Sequence, residues 1–267
     1  MPAVINAVCG YPFTGRFHVI SPGGTRNAAT ASAVSGVTAA TAIFSGKIRC
    51  TTDRLRSMAA SGIASYLITD SDGDISGSSL KVEIYAHTNA GPTTMSWVLH
   101  GYSTGTTSLH TTTVTPVLIS TLPVATADHI LYFEWNNTAK QVLLFIFDEF
   151  GTIVASQSDT GTAYGALNGV GFVTLGDSPS SNIGPTCSWN GIALYNVALT
   201  GAQRWSPPAT SDTGIIYLCQ MNDKTSGVTP TTMAAQVGSP GLTIDLTATS
   251  GWNYATKGIW GGHCNAF

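Results

Sequence analysis

The sequence predicts an all-β protein, an antiparallel two-sheet sandwich of jelly-roll type, on three observations. Short runs rich in Val, Ile, Thr, Tyr and Phe recur along the 267 residues. Gly and Pro break these runs at short intervals. No long stretch carries the apolar period of an amphipathic helix. Ten or more short strands with turn signals between them describe a sandwich or jelly roll. The length suits one large β domain with a sizeable core.

In chain order, residues 1–50 read as an N-terminal arm and a first strand, 51–205 as the sandwich proper, and 206–267 as C-terminal strands and an aromatic tail returning to it. Within the arm, residues 27–42 (NAATASAVSGVTAATA) are almost all Ala, Thr, Ser, Val and Gly. Such small side chains bury little area, so the stretch reads either as a loop or as an arm lying on something else. The strands that follow are IASYLIT (63–69), LKVEIYAH (80–87), MSWVLHGY (95–102), HILYFEW (129–135) and QVLLFIF (141–147). GTIVASQ, GVGFVTLG, WNGIALYN, GIIYLCQ and LTIDLTA continue the series. Pro207-Pro208 reads as a stiffened linker. The closing GWNYATKGIWGGHCNAF carries Trp252, Tyr254, Trp260 and Phe267 among glycines. Trp260 and Phe267 suit anchors for a partner, or the tail folds back on its own sandwich.

Charge excludes several classes. Asp, Glu, Lys and Arg make up only 9% of the chain, against roughly 25% in an ordinary soluble domain. Ser and Thr supply polarity instead, at about a quarter of the residues. The net charge of −3 offers no nucleic-acid footprint. Lys47, Arg49, Arg54 and Arg56 fall close together and read as a solvated strand edge, where charge deters wrong pairing. The longest apolar run, VLLFIF at 142–147, is far too short to span a bilayer. The first residues lack the pattern of a secretory signal, so the expectation is a soluble chain made without one. The five cysteines are widely spaced, with no C-x-x-C pair, and read as buried free thiols.

The central hairpin is the most informative segment. With NNTAK (136–140) as its turn, Trp135 lies opposite Gln141. One face then carries His129, Leu131, Phe133, Trp135, Leu143, Phe145 and Phe147, and the other Ile130, Tyr132, Val142, Leu144 and Ile146. Both are apolar, with Glu134 the main exception, whereas a sheet with one wet face alternates. Both faces therefore need covers: the opposite sheet for one, and the N-terminal arm, the C-terminal segment or a neighbouring copy for the other.

SWNGIALYNVALTGAQ (188–203) resembles the final strand of the laminin-G-like, concanavalin-type sandwich family. Trp189, Gly191, Ile192, Leu194, Tyr195, Asn196, Ala198, Leu199, Thr200 and Gln203 stand at matching positions. Thr200 and Gln203 also form a capping box able to start a helical turn, which Leu199 would pin to the sandwich edge. Residues 127–156 resemble the family's central hairpin, with His129 at the strand opening and Asp148 and Gly151 at its Asp-Gly turn. The likeness covers residues 63–204 and implies a lectin-like jelly roll.

Glucanases of that family carry two Glu and an Asp alternating on one strand, which sets an acid and a nucleophile on one face. Here the Glu residues are Glu83, Glu134 and Glu149, and no two share a strand at that spacing. The chain therefore reads as non-enzymatic. Asp70, Asp72 and Asp74 begin like a calcium loop, but Ile75 and Lys81 hold the places that need Gly and a bidentate acid. Rim acids of some relatives hold calcium, so the resemblance keeps calcium as a candidate cofactor, with a polar turn at Asp72-Gly73 as the other reading.

Two functions fit. One is a structural component of a virus or phage particle: a coat, decoration or fibre protein that assembles with itself or with other particle proteins, in a virion or at a cell surface. The other is a carbohydrate-binding module, with Tyr102, Tyr164 and Trp252 as aromatic contacts to a glycan.

Overall fold

The computed structural model describes residues 15–19, 29–32, 42–51, 65–69, 80–87, 94–102, 109–113, 117–118, 128–148, 150–162, 164–167, 172–175, 188–220, 232–238, 242–244 and 252–256, with side chains for part of these. All described strands lie in two antiparallel sheets. The first runs β11 (Ile153–Thr160), β10 (Gln141–Asp148), β9 (Asp128–Asn136), β3 (Ile43–Thr51), β13 (Ser188–Tyr195), β1 (Gly15–Val19), β17 (Trp252–Thr256), with β14 (Ile215–Cys219) also on β13. The second runs β15 (Thr232–Met233), β16 (Leu242–Ile244), β2 (Ala29–Ser32), β12 (Phe172–Leu175), β4 (Ser65–Thr69), β5 (Leu80–His87), β6 (Thr94–Tyr102), β7 (Leu109–Thr113), with β8 (Val117–Leu118) also on β6. This is the expected all-β jelly-roll sandwich. Among the described residues, no helix is long and apolar enough to cross a membrane.

All ten expected strands are present, within a few residues at their ends. None of them covers β3, which sits in the middle of the first sheet between β9 and β13. Its sequence, IFSGKIRCT, alternates apolar and polar, the period of a strand with two different faces. Part of the Ala- and Thr-rich arm is β2, held between β12 and β16.

The core lies between the sheets. Phe44 and Ile48 of β3 face inward, as do Leu131, Phe133 and Trp135 of β9, Val142, Leu144 and Ile146 of β10, and Ile192 and Leu194 of β13. Trp97 and Leu99 of β6 meet them from the second sheet, both at most 1% exposed. Two glycines admit the largest rings. A Cβ at Gly46 would overlap Phe133, and one at Gly101 would overlap the Trp135 indole.

The central hairpin departs from the expected register by one residue. Asn136 pairs with Gln141, and Trp135 pairs with Val142, not Gln141. The turn is only Asn137 to Lys140, because Asn136 stays in the strand: its Oδ1 accepts from Ala139 N at 2.9 Å. Lys140 closes the turn in the left-handed region, at φ 51°. One residue of slip exchanges the faces of a strand. Val142, Leu144 and Ile146 thus point inward beside Trp135, while Leu143, Phe145 and Phe147 point outward beside Ile130, Tyr132 and Glu134. The second turn matches the expected Asp-Gly corner. Asp148 Oδ1 accepts from Phe150 N and Thr152 N at 2.9 and 2.8 Å, and Gly151 takes φ 86° beneath Trp205.

Candidate functional site

Each sheet has one face turned away from the core, and these two faces are the candidate sites. On the first sheet, the outer positions of β3, β9 and β13 bring together Ser45, Lys47, Arg49, Ile130, Tyr132, Glu134 and Tyr195. Large apolar groups there demand a cover, and the chain itself supplies it. After β13 the backbone makes one 3-10 turn over Gly201–Arg204 and then crosses the sheet through Pro207 and Pro208. Thr200 N donates to Gln203 Oε1 at 3.2 Å, so the expected capping box holds. Leu199, 4% exposed, packs with Tyr132, Tyr195, Ile130 and Phe147, and Val197 and Trp205 join that cluster. The cover of the hairpin's second face is thus this crossover, which runs on into the expected C-terminal segment at Ser206, where Ile215, Leu218 and Val237 join the same cluster. Pro208 is buried within it and is no linker.

Under this roof nearly every polar group is tied down, as burial requires. Ser45 Oγ donates to Val197 O at 2.6 Å. Lys47 Nζ donates to Gln203 O and Ser206 O at 2.8 and 2.9 Å. Tyr132 Oη donates to Glu134 Oε2 at 2.5 Å and accepts from Leu199 N at 3.0 Å. Asn136 Nδ2 donates to Glu134 Oε1 at 3.1 Å. Tyr195 Oη donates to Asp212 Oδ2 at 3.0 Å. The Arg204 guanidinium lies over Phe145 and Tyr132, 4.8 and 5.2 Å from the ring centroids, with Nε on Leu199 O at 2.7 Å. Burial lowers the Lys47 ammonium from 10.5 to about 8, although the Asp212 carboxylate pulls the other way. Burial raises the Tyr132 and Tyr195 phenols, helped by Glu134 and Asp212 respectively. Lys47 and Arg49, 4% and 2% exposed, do not form a solvated edge. They lie on a central strand under a roof, because β3 has β9 and β13 on either side. A narrow cleft lined by Lys47, Arg49, Ile130, Trp205, Ser206 and Pro208 is the space left beneath the crossover. Glu134, 2% exposed, is walled in, so it is not poised over an open groove.

The outer face of the second sheet differs. On β6 the inward row contains Trp97, Leu99 and Gly101, so Val98 and His100 occupy the outward row. The register extends that row. Lys81 and Thr111 lie opposite His100, and Glu83 and Thr113 opposite Val98. Tyr85 pairs with Ser96 and Tyr66 with Glu83. Tyr102 occupies the next position of the same row beyond His100, paired with Leu109. Three tyrosine positions, one Lys, one Glu and one His therefore share one face of the sheet.

The other expected site residues are dispersed. Tyr164 is buried at 6% exposure. Its ring packs at a right angle to Trp135, 5.4 Å between centroids, and its hydroxyl donates to Asp159 Oδ2 at 2.7 Å, so the ring is spent on the protein's own packing. Trp252 is the first residue of β17, in register with Val19 of β1. Asp70, Asp72, Asp74, Trp260 and Phe267 lie outside the described residues. Among the described residues no three His, Cys, Asp or Glu side chains come together as metal ligands. His129 is buried on the inner face, which lowers it from 6.5 to about 4 despite the nearby Asp148. Cys219 is buried, with its Sγ donating to Ala234 O at 3.6 Å. The signal that would have revealed the Lys47 site is the alternation of IFSGKIR, which hides two cations on the face opposite Phe44 and Ile48.

No family model matches the sequence, and no curated protein is similar to it. Solved structures share the fold. The heptameric SAP-like pentraxin of Limulus polyphemus overlays with a TM-score of 0.51 at 10% identity, over 87% of this chain and 95% of the pentraxin. A putative carbohydrate binding protein from Bacteroides ovatus overlays with a TM-score of 0.57 at 12% identity, over 91% of this chain, which spans 60% of that protein's length. Tailspike protein 2 of an Escherichia coli O157:H7 bacteriophage overlays at 0.44 and 12% identity, over 70% of this chain and 25% of the tailspike, an overlap too small to bear on role. The chain thus has the lectin-like jelly-roll fold.

Proposed function

We propose that the protein is a non-catalytic, lectin-type sandwich that serves as a structural component of a virus or phage particle, as a coat, decoration or fibre protein. The observation that carries this reading is the roof over the first sheet. It closes the face where Glu134 sits and spends the chain's few central charges, Lys47, Arg204 and Asp212, on holding that roof down. A sheet used for glycoside hydrolysis of the glucanase kind needs an open groove with two carboxylates. The low charge content, 9%, suits a surface that meets other protein copies. Light scattering and electron microscopy of the full chain test the reading. It expects an assembled species, and a strict monomer at all concentrations overturns it.

A second reading, attachment to surface glycans, draws on one arrangement: the positions of Tyr66, Tyr85 and Tyr102 share one row of the second sheet with those of Lys81, Glu83 and His100. Aromatic and polar positions along one row suit a sugar. A glycan array tests it, with Tyr85→Ala and Tyr102→Ala expected to lose the signal. A blank array overturns it.

A further inference from the structure

We propose that the free edge of β11 is a self-association surface, which joins the first sheets of two copies antiparallel about a twofold axis. Among the described residues β11 ends the first sheet, with β10 on one side and no strand on the other. Natural edges are usually blunted by Lys, Pro or an inward charge. IVASQSDT contains no Lys and no Pro. Its single charge, Asp159, is already taken: Oδ2 accepts from Tyr164 Oη at 2.7 Å and Oδ1 from Thr160 N at 2.9 Å. The exposed large apolar side chains among the described residues, Phe150 at 73% and Ile153 at 53%, both stand at the start of this strand. The edge is blunted only by a bulge at Val154 and by Asp159 on the inward row, and its middle, Ser156 to Ser158, with exposed apolar groups before it, is a template for another strand.

The occupant that fits is a second copy of this chain. A twofold axis normal to the sheet keeps outer residues on the outer side, so paired residues must have the same parity. An axis at Gln157 sets Ser156 of one copy against Ser158 of the other, and Ala155 against Asp159. No two carboxylates then face each other, and the small Ser156 and Ser158, both exposed, leave the ladder unobstructed. The net charge of −3 adds little repulsion between copies. The proposal rests on the assembly reading and names its contact.

The test uses the full chain. Ser156→Lys with Ser158→Lys places like charges across the axis, whereas Ser156→Glu with Ser158→Lys places opposite charges there. By light scattering, the dilysine variant should associate at least about tenfold more weakly than the parent, and the Glu/Lys variant should recover association. Unchanged circular dichroism and melting temperature exclude unfolding, since both serines are exposed. A dilysine variant that associates like the parent overturns the β11 contact and leaves the assembly reading standing. Failure of the Glu/Lys variant to recover overturns the axis at Gln157. A parent protein that never associates overturns both readings.

Discussion

The two outer faces of the sandwich arise from the same alternation and differ in what they carry. On the first sheet Ile130, Tyr132, Phe145 and Phe147 make the face too apolar to leave in water, and the crossover after β13 closes it. On the second sheet the outward row mixes the positions of Tyr66, Lys81, Glu83 and Tyr85 with Val98 and His100, and Val98 is itself buried at 5% exposure. A roof needs both a greasy floor and a neighbouring strand that leads straight onto it. The first sheet has both, because β13 ends at Tyr195 beside β3, and Leu199, four residues on, lands on Tyr132.

Tyr132→Ala should break this contrast most strongly. It removes a fully buried ring and strands Glu134 Oε2 and Leu199 N. Urea denaturation should show a loss of about 4 kcal/mol; a loss below about 1 kcal/mol would mean that the roof does not depend on this floor.

His129 and Lys47 then separate the inner face from the roofed one by pH. The native state keeps His129 neutral down to about 4, whereas the unfolded chain protonates it below 6.5. More protons bind to the unfolded state in that window, so stability falls on acidification, by about 3 kcal/mol between pH 7 and 4 from this group. His129→Gln should flatten that acid limb in a denaturation series. Lys47 acts on the alkaline side. It loses its proton near 8 when folded and near 10.5 when unfolded. Stability therefore rises from pH 8 to 10, by about 2 kcal/mol. Beyond pH 10 the raised phenols of Tyr132, Tyr195 and Tyr217 reverse the trend, since the unfolded chain releases those protons first. Lys47→Met should abolish the rise between pH 8 and 10; a rise that persists would assign it to another group.

The smallest effect belongs to the second sheet. Tyr85→Ala and Tyr102→Ala should change the melting free energy by no more than about 0.5 kcal/mol if their face is open. A loss of several kcal/mol in thermal unfolding would show that this face is roofed too.

Most of the first sheet could be read along the chain. QVLLFIF, HILYFEW and WNGIALYN became strands, and Thr200 with Gln203 capped a turn, because each is decided within a few residues. The hairpin register was missed by one residue, since the outcome hangs on whether Asn136 pairs in the ladder or loops out. Its own side chain decides that by capping the turn at Ala139. Lys47 and Arg49 looked solvated because a basic cluster in sequence says nothing of what lies across the strand. Tyr164 looked available for the same reason, and Trp135 covers it.

Alternation and turn chemistry act over a handful of residues, so the linear chain by itself determined an all-β jelly roll, its strand segments, its scarcity of charge and the need to cover both sides of the central hairpin. Which side chains face the core, and what closes the outer face, came only with the tertiary structure. Tyr132 and Leu199 are 67 positions apart, and their hydrogen bond joins a strand to a crossover that no local pattern relates. The physical reason is that burial is a property of two surfaces brought together, and either one, read alone, leaves its partner open.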